Sequence, residues 1–217
     1  MIEIKIKNKL ILFNFFILIF IGCENLKKTS TKGAVVSARE EASKIGVEIL
    51  KKGGNAFDAM VATSFALTVV FPNAGNITGG GFMVYRTSNG EIGSLDYRET
   101  APLSSSENMY LDKNGEVVKD LSRIGGLAVG VPGSVAGILE VHKKMGSLPL
   151  ADLIQPSIEL ANDGFIVTEK QSKSLGSKRD EFIKVNGDNT FYGKSFKKGD
   201  LIKNPNLAKA LNEILRY

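Results

Sequence analysis

Residues Asn73–Pro102 read NAGNITGGGFMVYRTSNGEIGSLDYRETAP, and the rest of the chain is arranged around them. Gly79, Gly80 and Gly81 are consecutive, with Gly75 just upstream. Glycine admits positive φ and lets one backbone approach another closely, so this run, between an apolar helix and a strand, predicts a crowded turn. FMVYR then reads as a strand, Asn89-Gly90 as a type I′ turn and EIGSLDYR as the returning strand. Arg98 falls where that second strand runs out into Glu99-Thr100-Ala101-Pro102. A planar guanidinium there can grip a carboxylate through two parallel hydrogen bonds. It can equally form a surface ion pair with Asp96 or Glu99.

Upstream, Ser37-Ala38-Arg39-Glu40 has the form of a capping box, followed by a helix with Ala42, Ile45, Ile49 and Leu50 on one face. Gly53 and Gly54 end it. Asn55 can cap the next helix, with Asp58 in its first turn, where the helix dipole favours a carboxylate. That helix, 56–71, is apolar nearly all round and therefore buried, and Pro72 stops it. Downstream, 103–108 is a polar loop and 112–115 a turn. Leu127 to Val131 reads as a short strand. A helix runs from Pro132-Gly133 to about Lys144 with Val135, Leu139 and His142 on one side. Residues 150–162 form a further helix, opened or kinked by Pro156, before the apolar Phe165-Ile166-Val167. Thr168 to about Ile183 is polar and amphipathic, 194–205 is loop-like, and 206–217 begins a last helix. The pattern predicts a layered α+β fold, not a doubly wound sheet.

Composition narrows the function classes. The 217 residues are 43% hydrophobic and 24% charged, ordinary for a globular domain. The net charge is +5, of which Met1–Gly22 supplies +2 through Lys5, Lys7 and Lys9 against Glu3. The lysines are spread along the chain, which points to no nucleic-acid partner. One cysteine excludes an intrachain disulfide, and one histidine, His142, leaves no evident Ser-His or Cys-His pair and no His-rich metal site. NITGGG lacks the spacing and the Gly-Lys-Ser/Thr of a phosphate loop, and it leads into a strand, not a helix N-terminus. No metal or cofactor is implied.

The N-terminus reads as an export signal. A basic start is followed by an apolar run, 10–22, too short to span a bilayer, which takes about 20 residues. It ends in Phe20-Ile21-Gly22-Cys23, which resembles a bacterial lipobox with Phe where Leu is preferred. The expected organisation is a signal peptide at 1–22, a lipidated tether at 23–31 starting at Cys23, and a domain from 32 to 217. The corresponding location is exported, periplasmic or cell-surface, with a membrane anchor through the Cys23 lipid. The alternative is an ordinary exported protein with a spare thiol.

KKGGNAFDAMVA (51–62), PNAGNITGGGFMVYR (72–86), DYRETAP (96–102), GVPGSVAG (130–137) and QPSIELANDGFIV (155–167) occur in an order and spacing that resemble the large-subunit end of the gamma-glutamyltranspeptidases, or glutathione hydrolases. The resemblance covers about Lys32 to the C-terminus. It implies the N-terminal part of an N-terminal nucleophile hydrolase, an αββα sandwich, with glutathione or another γ-glutamyl donor as substrate and a separate small subunit as partner. Family members take their nucleophile from the N-terminal threonine of that small subunit, in a Thr-Thr-His context. No threonine here lies in such a context, so no catalytic residue is expected in this chain, which looks like an inactive fragment by itself. The resemblance makes Arg98 the ligand of the donor's α-carboxylate, with Thr100 where Met is common, and puts the glycine loop near the cleft. Two other readings stay open: an exported, non-catalytic lipoprotein that binds γ-glutamyl compounds or amino acids, and an inactive gene remnant.

Overall fold

The central helix α2, Ala56–Val70, has no polar face to turn to water, and the other elements pack around it. In the computed structural model, which describes residues 33–216, ten of its fifteen residues are buried. It lies against α1 (Glu40–Lys51), α3 (Ser134–Met145) and α4 (Leu150–Asp163), and α4 in turn packs on α6 (Pro205–Ile214). The core is built from Ile49, Val61, Phe65, Val70, Val141, Leu153, Ile154 and Leu211, all essentially inaccessible to water. The remaining elements are β1 (Phe82–Arg86), β2 (Ile92–Asp96), β3 (Phe165–Ile166), α5 (Glu169–Asn186) and β4 (Leu201–Ile202). Two antiparallel two-stranded sheets, β1-β2 and β3-β4, complete a mixed α+β layering, as expected. Among the described residues no helix is long and apolar enough to cross a membrane. The expected signal peptide, the acylation expected at Cys23 and the expected tether fall on residues outside those described.

The Asn55 cap forms as predicted. Its Oδ1 accepts from the amides of Phe57 and Asp58 (2.8 and 3.0 Å), and the Asp58 carboxylate accepts from the Asn55 amide (2.8 Å). The box at Ser37 does not form. Arg39 is the N-cap residue of α1 in extended backbone, and Ser37 spends its hydroxyl on the Arg39 carbonyl and on Ser43. The Arg39 guanidinium is drawn to Glu41 and to Gln171 Oε1 (2.6 Å), so a distant contact overrides the local motif.

Local readings shift elsewhere for stated reasons. The β1–β2 turn is not type I′, because only Gly90 has positive φ (93°). The Gly90 amide donates to Thr87 and Thr87 pairs with Glu91, giving a three-residue loop with its glycine in the left-handed region. Residues 127–131 are not a strand. Gly126–Ala128 is a 3₁₀ turn, and only Val131 pairs, across to Thr100. Helix α3 turns Ser134, Gly137, Ile138 and Val141 inward, a face displaced from the expected Val135, Leu139 and His142. Helix α4 runs unbroken through Pro156. The expected loop 194–205 holds β4, which pairs Leu201 with Ile166 and Ile202 with Phe165.

Candidate substrate-binding site

The β1-β2 hairpin alternates strictly, as a two-faced sheet must. Met83 and Leu95, directly paired, face the core, and Tyr85 meets Phe57 edge-on at 5.6 Å. Phe82, Val84 and Ile92 face outward and are exposed. Gly81 and Tyr97 exchange both backbone hydrogen bonds (3.3 and 3.0 Å), carrying the ladder one residue pair past Phe82 and Asp96.

Beyond that pair, Tyr97–Glu99 runs through a slot walled by glycines. On one side, a Cβ added to Gly80 would lie 2.7 Å from Arg98 Cα and 2.6 Å from the Glu99 amide, and one on Gly81 would strike the Tyr97 ring. On the other, a Cβ on Gly133 would lie 2.0 Å from the Tyr97 carbonyl oxygen, and one on Gly137 would lie 2.2 Å from the ring. These contacts, not left-handed backbone, are what require glycine: none of Gly79, Gly80 and Gly81 has positive φ. Past the slot, Thr100 and Val131 exchange backbone hydrogen bonds of 3.2 and 2.8 Å. Burial of its ring raises the Tyr97 phenol above its ordinary pKa.

The walls are tied to each other. The Gly79 carbonyl accepts from the amides of Gly133 and Ser134 (2.7 and 2.8 Å), the first donors of α3. Asn76 Oδ1 accepts from the Gly79 amide and from the Ser134 hydroxyl (3.0 Å), while its Nδ2 donates to the Ala74 carbonyl. The glycine loop and the start of α3 thus form one hydrogen-bonded clamp.

Arg98 leaves this clamp into solvent. The predicted alternative, an ion pair with Asp96 or Glu99, does not occur: among the described residues its guanidinium has no carboxylate within 4.0 Å. Asp96 instead accepts from the Arg98 backbone amide (2.9 Å), fixing the residue's main chain and leaving its side chain free.

Asp58 does more than cap its helix. Fully buried, it accepts from the amides of Ser147 (2.9 Å) and Leu148 (3.3 Å), from the Asn55 amide and from the Ser147 hydroxyl. Burial acts to raise its pKa, but the bonds from Ser147, Asn55 and Leu148 together outweigh it and hold the carboxyl below its ordinary value. His142 Nε2 bonds the Leu148 carbonyl (2.8 Å) in the same α3–α4 turn, a structural role. Hollows of about 220 to 580 Å³ flank α5, the largest lined by Arg39, Asn73 and Gln171 among others; none of these includes Arg98.

Sequence reading singled out Arg98 and the glycine loop, and the structure brings them together. It missed Asn76, Ser134 and the second wall. The signal was present in GVPGSVAG, where Gly133 and Gly137 are four apart and so share one face of a helix start.

Comparison with known proteins agrees with this architecture. The family model described as Gamma-glutamyltranspeptidase matches residues 42–217. Glutathione hydrolase proenzymes of Pseudomonas sp. (strain A14) and Escherichia coli (strain K12) are 44% and 42% identical, over 89% and 84% of this chain. Those alignments cover 33% and 32% of the two relatives, so the chain spans about a third of the length of the curated relatives it matches. The crystal structure of Helicobacter pylori gamma-glutamyltranspeptidase superimposes with a TM-score of 0.83 at 44% identity, covering 87% of this chain and 55% of that one. The enzyme from Pseudomonas nitroreducens complexed with L-DON gives 0.78 at 43%, covering 87% and 56%. The fold is therefore that of the N-terminal nucleophile hydrolases, of which these residues supply a helical layer and a hairpin. With motif order, fold and alignment in agreement over most of its length, the chain belongs to the gamma-glutamyltranspeptidase family.

Proposed function

We propose that this chain is the donor-binding N-terminal part of a gamma-glutamyltransferase or glutathione hydrolase, and that Arg98 holds the α-carboxylate of the γ-glutamyl group. The observation that carries this reading is the placement of Arg98: backbone clamped, guanidinium exposed and without an ion-pair partner among the described residues. A rigidly rooted fork with free donors suits a planar carboxylate. The chemistry further requires a nucleophile and a base within hydrogen-bond reach. His142 is committed to the Leu148 carbonyl. In keeping with the family, the nucleophile is assigned to a partner subunit, which attacks the γ-amide of glutathione or a related donor and passes the acyl group to water or an amino acid.

The test is Arg98→Lys in the active enzyme that contains this segment, assayed with γ-glutamyl-p-nitroanilide. Lysine keeps the charge and loses the fork, so KM rises about 10-fold. An unchanged KM would refute the assignment. We further propose export and acylation at Cys23, supported by the basic start, the short apolar run and Gly22-Cys23. Labelled fatty acid enters the wild type and not Cys23→Ser; equal labelling of both rules acylation at that thiol out. Firm anchoring takes more than one acyl chain.

A further inference from the structure

We propose that Ser134 is a positioning residue for Arg98, acting with Asn76 through the glycine clamp. The inference concerns where Arg98 is held; its bearing on substrate rests on the carboxylate reading above.

The backbone of Tyr97 and Arg98 passes between Gly80, where an added Cβ would lie 2.7 Å from Arg98 Cα, and Gly133, where one would lie 2.0 Å from the Tyr97 carbonyl oxygen and 3.1 Å from that of Arg98. The width of this gap is set by the bonds from Gly133 and Ser134 to the Gly79 carbonyl, because Gly79 is adjacent to Gly80. Backbone bonds alone would let the loop 74–79 roll about that carbonyl. The Ser134 hydroxyl removes this freedom. It is buried, 4% exposed, and donates to Asn76 Oδ1, which also receives the Gly79 amide. The three bonds lock loop and helix start as one body. The side-chain hydrogen bonds of Ser134 and Asn76 go to each other, to the Gly79 amide and to the Ala74 carbonyl, not to Arg98, so they act by fixing its root. A side chain held within a fraction of an ångström binds a planar ligand better than the same group on a loose strand.

The test uses the full chain and trypsin, which cleaves after arginine only where the local chain can open. In the wild type the Arg98–Glu99 bond is protected by both walls, while Arg123–Ile124, in an exposed loop, is cut freely. Ser134→Ala speeds cleavage after Arg98 about 10-fold or more, the effect of losing one or two net hydrogen bonds on a local opening, and leaves cleavage after Arg123 unchanged. Ser134→Thr, which keeps the hydroxyl, restores protection. Asn76→Ala, at an exposed residue whose loss leaves the core intact, reproduces the alanine effect. Cleavage after Arg98 at the wild-type rate in both alanine variants overturns the proposal. So does a uniform rise at every site, which would mean that Ser134 serves general stability. In the active enzyme, Ser134→Ala raises KM for the γ-glutamyl donor about 10-fold with kcat within about twofold. Selective cleavage with an unchanged KM upholds the clamp and overturns the carboxylate reading instead.

Discussion

Replacing Asp58 with Asn tests whether one buried carboxylate joins two parts of the fold 90 residues apart. Asp58 Oδ1 accepts two backbone amides, Ser147 and Leu148; Oδ2 accepts the Asn55 amide and the Ser147 hydroxyl. An asparagine amide group cannot face the first pair, whose donors are fixed. Placed on the second side, it lets the hydroxyl rotate to accept but strands the Asn55 N–H. One stranded buried N–H costs about 1–3 kcal/mol, and the two bonds left on the neutral oxygen each weaken by about 0.5–1 kcal/mol. The expected loss is about 2–5 kcal/mol, a large share of the 5–15 kcal/mol typical of a domain. The pH dependence has a definite sign. The folded carboxyl titrates below its ordinary value, so its contribution is complete above the unfolded value near 3.9 and disappears as pH falls through the lower folded value. Guanidinium unfolding followed by circular dichroism, on wild type and variant from pH 7 to pH 3, measures both effects. The gap should hold constant down to about pH 5 and begin to narrow below about pH 4. A variant within about 0.5 kcal/mol of wild type at pH 7, or a gap that widens with acid, refutes the account.

Two glycines on helices should respond oppositely to alanine. Gly137→Ala, whose Cβ would lie 2.2 Å from the Tyr97 ring, destabilises by about 1–3 kcal/mol, whereas Gly176→Ala, in mid-α5 with open space around it, stabilises by about 0.5–1 kcal/mol; thermal melts of the two variants decide. Residues 24–217 expressed alone should release no p-nitroaniline from γ-glutamyl-p-nitroanilide above a no-protein control, and release abolished by Arg98→Ala would locate a catalytic group here after all.

The parts of this fold legible in the sequence are those decided by neighbours in the chain. Asn55 and Asp58 are three apart and form the cap of α2 between themselves, and the strand-forming runs FMVYR and EIGSLDYR on either side of Asn89-Gly90 report the hairpin directly. The failures share one cause. Ser37 had the right spacing for a cap, but Arg39 is claimed by Gln171, 132 residues later. Helix α3 turns its Gly137 face inward because the Tyr97 ring needs that space, a demand invisible in α3 itself. Strand β4 was unreadable because its two residues become a strand only through pairing with Phe165 and Ile166. The same limit held at the site. Arg98 could be named from its motif, yet nothing in residues 96–102 discloses that residues 130–137 form the opposite wall.

That wall bears on why the position is built from glycine and backbone at all. An arginine can be held in place most simply by a carboxylate beside its guanidinium, but such a partner occupies the donors a substrate needs and neutralises the charge that attracts it. Here the carboxylate next in line, Asp96, bonds the Arg98 amide, and immobilisation comes from glycine contacts against Arg98 Cα and its neighbours' backbone. The residue is rigid at its root while all five guanidinium N–H groups stay available. The arrangement concentrates its vulnerability in the clamp. Substituting Gly80 or Gly133 would displace the root of Arg98 without touching its side chain, so binding would weaken although the charge remained.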